Sequence, residues 1–199
     1  MSTNEKNSRI KILQATWRLL EDNANKRISM TQIASASGVS RQAIYLHFKS
    51  RADLFIATTR YVDEIKGLDQ RLEKVLKCCD GTLMLDTFVD VWCNYIPEVY
   101  AVSKALMTSK ESDEAAAAAW TEIMGCLHDI CLEIIQRLAQ ENKLNAKWDV
   151  PRAADILYAV ISIPNWEVLT IECDWKNEEY IINIKNLINN CLLNSNGKL

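Results

Sequence analysis

Cysteine and histidine side chains are the residues whose types could most readily hold a metal or react with an oxidant. Cys126, His128 and Cys131 have the residue types of a metal site, but positions 126 and 128 point to nearly opposite sides of a helix. No metal site is therefore expected there. The vicinal pair Cys78 and Cys79 leaves open a redox switch, against the simpler interpretation of inert, buried thiols.

Sequence motifs for catalysis are not found in the chain. It contains no nucleophile elbow, no glycine-rich phosphate loop, no HExxH segment and no cysteine pair at zinc spacing. Neither an enzyme nor a bound cofactor is expected.

The charge of the chain is unevenly distributed. A net charge of −3 over 199 residues argues, as a total, against a protein that coats nucleic acid. Residues 1–60, however, contain ten bases and four acids, a balance of +6, so the remainder carries −9. This asymmetry is typical of a basic module that meets a polyanion, joined to an acidic module with another task. The alternative is two differently charged solvated surfaces.

The cellular compartment is indicated by the N-terminus and the cysteines. Residues 1–9 are polar and no apolar segment follows them, so no export signal is expected. The apolar stretch at 156–164 is far shorter than a membrane span. Seven cysteines, an odd number, are then most simply reduced thiols in the cytoplasm.

Hydrophobic periodicity predicts an all-α fold of about nine helices. The first helix ends near Asn23, and the capping-box spacing from Ser29 to Gln32 begins the second. Gly38 ends that helix, because glycine accepts the left-handed conformation without a Cβ clash. Ser40 and Ser50 cap the third and fourth helices. The later helices are predicted at about 61–77, 82–94, 97–108, 112–142, 150–172 and 176–194, with breaks at Gly81 and Pro97 and a kink caused by Pro164.

The segment from Ile33 to Ile44 has the residue pattern of a helix-turn-helix. Two short helices cross closely when the contact residue is small, the turn tolerates positive φ and an aliphatic residue holds the second helix down. Ala34, Gly38 and Ile44 meet these three requirements. Taken alone, the pattern leaves any pair of packed short helices as an alternative.

The residues that follow strengthen this interpretation. The run Tyr45-Leu46-His47-Phe48-Lys49-Ser50-Arg51-Ala52-Asp53-Leu54-Phe55, together with the chain from Ile10, resembles the N-terminal domain of the TetR family of transcriptional regulators. Two positions depart from the family pattern. Ala24 or an adjacent Asn stands where the family usually has a glycine, and Arg51 stands where lysine is commoner. The resemblance implies a helix-turn-helix DNA-binding domain at 1–55, extending into the helix that starts near 51, and a ligand-binding and dimerisation domain at 56–199.

The resemblance places the third helix in the major groove of double-stranded DNA. Arg41 and Gln42 are the residues expected to read bases, because Arg matches guanine and Gln matches adenine. The residues expected to contact the DNA backbone are Ser29, Ser40, Tyr45, His47, Lys49 and Arg51. The competing interpretations are that Tyr45 belongs partly to the core, that His47 only packs beside Phe48, and that Arg41 contacts only phosphate.

In the acidic domain the resemblance implies a homodimer and a pocket for a small molecule. Apolar residues at helical spacing, taken as the dimer face, are Ile156, Ala159, Ile163, Trp166, Leu169, Ile184, Leu187, Ile188, Cys191 and Leu192. The alternative is that they close the domain's own core. The residues expected to line a pocket for an apolar or aromatic effector are Phe88, Trp92, Tyr95, Trp120, Met124 and His128, with plain core packing as the alternative.

The resulting hypothesis is a ligand-responsive regulator, by family default a repressor, which binds a palindromic operator and is released by a small-molecule inducer. Two other functions stay open at this stage. One is a redox-sensing regulator that uses cysteines in place of a pocket, and the other is a helical small-molecule-binding protein that does not bind DNA.

Overall fold

The chain folds into helices, as a computed structural model shows for residues 3–23 and 27–194. Within these ranges the only β-type pairing is an isolated bridge between Leu144 and Leu193. The predicted all-α fold is confirmed. The turn at Ala24, where the family usually has a glycine, lies outside the described residues.

The N-terminal helices begin and end close to the predicted positions. Their bounds are α1 Thr3–Asp22, α2 Met30–Ser37, α3 Arg41–His47 and α4 Arg51–Lys66. Ser29 forms a complete capping box with Gln32, and Gly38 ends α2 in the left-handed conformation with φ 68°. Local residue chemistry therefore determines these boundaries.

The later helices differ more from the prediction. Their bounds are α5 Leu68–Leu76, α6 Gly81–Ser109, α7 Glu114–Gln140, α8 Val150–Val160, α9 Ile163–Glu167 and α10 Asn177–Leu192, with a π-helical turn at Val168–Glu172 that continues α9. The predicted helix at 61–77 is wrong, since Gly67 adopts φ 69° and separates α4 from α5. The predicted break at Pro97 is also wrong. Pro97 lies inside α6, where its neighbour Ile96 is fully buried and packing offsets the lost hydrogen bond.

The run from 150 to 172 is long and apolar enough, by length and composition alone, for a membrane span. The structure divides it, because α8 ends at Val160, Ser162 caps α9 and Pro164 occupies the first turn of that new helix. An α-helix of 11 residues is about 16 Å long, half the hydrocarbon thickness of a bilayer. The run is therefore a series of short helices and not a membrane span.

The chain divides into two compact units. The first contains residues 1–67 and 99–124, and the second contains residues 68–98 and 125–199. This division by compactness differs from the predicted division by function after residue 55, and that functional boundary stays a prediction.

A buried ion pair joins distant parts of the first unit. The Arg51 guanidinium, at the start of α4, pairs with the Asp113 carboxylate just before α7, and the two side chains are 15% and 2% exposed. The second carboxylate oxygen of Asp113 accepts the N–H of Ala115 at 3.0 Å, so the same residue caps α7. The guanidinium also lies over the Phe55 ring, 5.0 Å from its centroid. One carboxylate therefore ties the first turn of α4 to the first turn of α7.

In the second unit, two carboxylates stabilise the start of α6. Glu141 accepts the N–H of Gly81 at 2.8 Å, and Asp80 accepts those of Thr82 and Leu83 at 2.9 and 3.1 Å. Lys143 pairs with both carboxylates at 3.0 Å. The hydrogen bond from Arg137, and then those from Gly81 and Lys143, lower the pKa of Glu141 to about 2. The hydrogen bonds from Leu83 and Lys143 lower the pKa of Asp80 to about 2.

Replacing Asp113 with alanine should destabilise the protein by about 2–4 kcal/mol, because it leaves the largely buried Arg51 without its partner and removes the cap of α7. Thermal and urea unfolding measure the change. Glu122→Ala is the matched control, since it breaks the exposed pair between Arg60 and Glu122 and should cost less than about 1 kcal/mol. Equal effects of the two substitutions would contradict the assigned importance of the buried pair.

Acid should weaken the second unit over a defined pH range. The folded-state pKa of Glu141, about 2, lies below its ordinary value of 4.5, so its contribution is present above pH 4.5 and disappears as the pH falls towards 2. In Glu141→Gln the urea midpoint should be lower at neutral pH and change less between pH 4.5 and 2.5. Glu133→Gln, at an exposed position of α7, controls for loss of one carboxylate. A pH profile in Glu141→Gln identical to that of the wild type would refute the assignment.

Candidate nucleic-acid interface

The helix-turn-helix of the first unit is held by a small apolar core. Ile33 and Ile44 are fully buried, Phe48 is 2% exposed and Ala34 is 7% exposed. After Gly38 turns the chain, the N–H of Val39 donates to the carbonyl of Ala34 at 3.1 Å. The predicted roles of the small residue, the glycine and the returning aliphatic residue are confirmed by this geometry.

Burial of Ile44 decides which side of α3 faces solvent. At 100° per residue, Gln42 and Leu46 each lie about 160° around the helix from Ile44, and Arg41 and Tyr45 lie on one flank. All four of these side chains are exposed, Tyr45 at 48% and Leu46 at 86%. They form the exposed face of α3, and Arg41, Gln42 and Tyr45 were expected there from the sequence.

The predicted serines are occupied in helix capping but keep part of their hydrogen-bonding capacity. The Ser40 hydroxyl accepts the N–H of Ala43 at 3.1 Å, so its proton stays available to an acceptor. The Ser29 hydroxyl accepts the N–H of Gln32 at 3.2 Å and donates to the Gln32 side chain at 2.8 Å. Ser40 is therefore better placed than Ser29 to donate to a phosphate.

His47 and Lys49 differ in their surroundings. The His47 ring is partly buried and lies 6.2 Å from the Phe48 ring, so it packs beside that residue while keeping some exposure. Lys49 is exposed, and its backbone N–H donates to Asp53 at 2.9 Å. His47 is the last residue of α3 and Lys49 lies two positions later, in the region where a contact to the DNA backbone is expected.

The Arg51 side chain already has a partner within the first unit, and its predicted phosphate contact stays a prediction. Arg51 was expected to hold a phosphate at the start of α4, but its guanidinium pairs with Asp113 and is largely buried. Burial, and then the charge of Arg27, lower the pKa of Arg51 from its ordinary value. The reason for the difference is that Asp113, 62 positions later in the sequence, folds back onto α4.

A cleft of about 820 Å³ lies beside the exposed face of α3 in the first unit. Basic and hydroxyl side chains contribute to its lining, among them Arg27, Ser29, Arg41, Tyr45 and Ser50. Two acids also line it, Asp113, which pairs with Arg51, and the exposed Glu114. Arg27 was not predicted as a site residue, because it precedes α2 and belongs to no helical pattern. Its charge was nevertheless visible in the basic balance of the N-terminal segment.

The residues predicted to line an effector pocket are mostly buried. Trp120 and Met124 belong to the first unit and the other four to the second. Trp92 donates its indole N–H to the carbonyl of Ile161 at 2.8 Å, and its ring lies 6.0 Å from that of Tyr95. His128 is partly exposed and pairs with Asp155 at 2.9 Å. These contacts describe packing, so the pocket itself stays a prediction.

The residues predicted to form a dimer face divide into two groups. Ile163, Trp166, Ile184, Ile188 and Leu192 are at most 5% exposed, so they close the core of the second unit. Leu187 is 54% exposed, and three apolar neighbours not predicted for this face, Val168, Ile171 and Ile182, are 42–60% exposed. The remaining predicted residues, Ile156, Ala159, Leu169 and Cys191, are partly or fully exposed.

The cysteines, including the two that were considered as metal ligands, differ in how deeply they are buried. Burial raises the pKa of Cys93 to about 12 and raises that of Cys131 as well, which makes both thiols unreactive at neutral pH. Cys126 is exposed whereas Cys131 is buried, so the two do not share a site. In the described ranges there is no group of three or more His, Cys, Asp or Glu side chains that could hold a metal ion. Cys79 is exposed and Cys78 is partly buried.

Comparison with known proteins gives matches to both the sequence and the fold. Residues 12–58 match the family described as bacterial regulatory proteins, tetR family. A nucleoid occlusion factor SlmA from Marinomonas sp. (strain MWYL1) is 32% identical over 77 residues, which cover 39% of this chain and 38% of that protein. The chain thus spans well under half the length of the curated relatives that it matches.

Solved structures match over nearly the whole chain. A transcriptional regulator from Saccharomonospora viridis, in complex with choline, has a TM-score of 0.72 at 17% identity and covers 95% of this chain and 99% of its own. The regulator FadR from Bacillus subtilis, in complex with stearoyl-CoA, has a TM-score of 0.71 at 15% identity, covering 90% and 96%. At these identities the similarity shows the fold.

The sequence match and the fold lead to one assignment. The match at residues 12–58 contains the complete helix-turn-helix with its exposed α3. Residues 12–58 therefore form a helix-turn-helix domain of the type found in the tetR family of bacterial regulatory proteins, and the chain as a whole shares its fold with solved transcriptional regulators.

Proposed function

We propose that this protein is a ligand-responsive transcriptional repressor that binds a palindromic DNA operator as a homodimer. The observation that carries the proposal is the exposed face of α3. A recognition helix must present polar side chains outward while a buried residue fixes its rotation, and Arg41, Gln42 and Ile44 meet these requirements.

Charge supports binding at this surface. The segment of residues 1–60 has a balance of +6, and Arg27, Arg41 and Tyr45 line the cleft beside α3. A DNA backbone at this surface would meet cations and hydroxyl donors, whereas the remaining chain, at −9, would be repelled. Contacts to phosphate would position the domain, and Arg41 and Gln42 would read guanine and adenine.

Dimerisation is supported by exposed apolar side chains in the second unit. Val168, Ile171, Ile182 and Leu187 are 42–60% exposed on α10 and on the π-helical turn that precedes it. Burying these side chains against a second copy would be favourable. Two copies of α3 about one DNA turn apart would then read successive major grooves of a palindromic site.

The effector is proposed to be an apolar or aromatic small molecule. Support comes from the aromatic and methionine side chains inside both units, because such residues commonly line ligand sites. Two structures of similar fold were solved with choline and with stearoyl-CoA, a small cation and a long acyl chain. Effector binding would favour a conformation with lower affinity for the operator.

Sequence-specific binding should be lost when the exposed face of α3 is truncated. Selection from a random DNA pool should give a palindromic consensus with the wild-type protein. The Arg41→Ala, Tyr45→Ala variant should bind that site at least about 30-fold more weakly, since it removes a base contact and a backbone contact. Fluorescence anisotropy measures both affinities. Arg152→Ala, which removes an exposed charge in the second unit, should leave them unchanged.

The salt dependence of the same binding equilibrium tests the electrostatic part of the proposal. If a dimer neutralises six to ten phosphates, the slope of log K against log salt concentration should be about −5 to −9. A slope near zero, or equal binding by the double variant, would contradict DNA recognition by this surface.

An inducer should both stabilise the protein and weaken operator binding. Apolar, aromatic and quaternary ammonium compounds that raise the melting temperature would be added to the anisotropy assay, where release of DNA is expected. A parallel sample receives peroxide in place of a compound. Release by peroxide alone, lost in Cys79→Ser, would favour the redox alternative. Compounds that stabilise the protein without affecting DNA affinity would argue against an inducer.

A further inference from the structure

Leu46 is unusually exposed for a large apolar side chain. It is 86% exposed, whereas the other exposed large hydrophobic residues in the described ranges are 40–62% exposed. Single apolar residues on a surface are common, so exposure alone assigns no role. The position of Leu46 on α3 supplies the second observation.

Leu46 lies near the C-terminal end of α3, on the exposed side of the helix. It lies one helical turn after Gln42, so the two side chains are stacked on the side opposite the buried Ile44. Four residues correspond to a rise of about 6 Å along the helix, close to two base-pair steps of about 3.4 Å. An adenine contacted by Gln42 and a base reached by Leu46 would therefore be one to two base pairs apart.

The chemistry of the major groove identifies the group that an exposed leucine can recognise. The base edges there present hydrogen-bond donors and acceptors, and the apolar group among them is the C5 methyl of thymine. We propose that Leu46 is a specificity-determining residue that contacts a thymine methyl in each half of the operator, next to the base read by Gln42. This inference rests on the proposed DNA-binding function and adds to it a contact with one methyl group of one base in each half-site.

The surroundings of Leu46 favour DNA over another occupant. Arg41 and Lys49 are exposed on the same helix-turn-helix, and Arg27 lines the adjacent cleft. The nearest acid in the sequence is Asp53, whose carboxylate accepts the backbone N–H of Lys49 and whose own N–H donates to the Ser50 hydroxyl. A basic rim around one apolar side chain complements a groove with phosphate edges and a methyl group on its floor.

Replacing thymine by deoxyuridine removes only the C5 methyl and so tests the contact directly. Operators with one such replacement at each thymine in turn would be titrated with the wild type and with Leu46→Ala. At one thymine per half-site the wild type should lose about fourfold in affinity, the effect expected for burial of one methyl-sized group. Leu46→Ala should bind the thymine operator roughly 15-fold more weakly, because the variant dimer loses the contact in both half-sites, and it should not distinguish thymine from deoxyuridine at that position.

Two further variants control for general effects. Leu76→Ala truncates a leucine that is 62% exposed in the second unit, and it should retain the full wild-type response to deoxyuridine. Leu46→Met keeps an apolar side chain and should retain most of that response. Because Leu46 is largely exposed, Leu46→Ala should melt at the wild-type temperature.

The outcomes separate this inference from the function on which it rests. If the wild type selects no DNA sequence, the proposed function fails and the inference fails with it. If the wild type binds its operator and Leu46→Ala keeps the full response to deoxyuridine, only the inference is overturned. The inference would also be overturned if the wild type lost no affinity at any thymine replacement while Leu46→Ala bound every operator more weakly by the same factor, because that result indicates a sugar or phosphate contact.

Discussion

The burial of Ile44 is the constraint on which the exposed face of α3 depends. The helix α3 has only seven residues, and Ile44 is the one that is fully enclosed by the core of the first unit. This single anchor fixes the rotation of the helix about its axis, because a turn of 100° would expose Ile44 and bring Tyr45 or the smaller Ala43 into its place. The outward positions of Arg41, Gln42 and Leu46 all follow from it. The serine caps and Gly38 determine where the helix begins, and Ile44 determines which way it faces.

A second constraint acts at a distance along the chain. Asp113 caps α7 with one carboxylate oxygen and pairs with Arg51 through the other. Since Arg51 is the first residue of α4, which directly follows α3, a displacement of the first turn of α7 would have to break this pair or move α4. The buried pair adds little net stability, because the cost of desolvating both charges offsets much of their attraction. Its main effect is to fix the position of α4 relative to the first turn of α7.

Features determined by neighbouring residues could be predicted from the sequence. The capping box at Ser29, the left-handed Gly38 and the cap at Ser40 each depend on contacts within four positions, and all three were anticipated. Gly67 carried a similar local signal, but apolar periodicity continued on both sides of it and concealed the break. Pro97 gave the opposite error, since burial of its neighbours in α6 overrides the local preference. The partner of Arg51 could not be predicted, because nothing near Arg51 in the sequence identifies a carboxylate 62 positions away.

The shortness of α3 has a consequence for how recognition is lost. A peptide of seven residues does not form a stable helix in water, where about 12–15 residues are needed even for favourable sequences. Arg41, Gln42 and Leu46 therefore share one exposed face only while the helices that pack around α3 are folded. Partial opening of that small core would abolish the proposed sequence discrimination while leaving the positive charge of residues 1–60 intact. On the proposed function, the basic segment of a partly unfolded molecule would still bind DNA, but without sequence preference, and such a molecule would be lost from the population that can bind the operator.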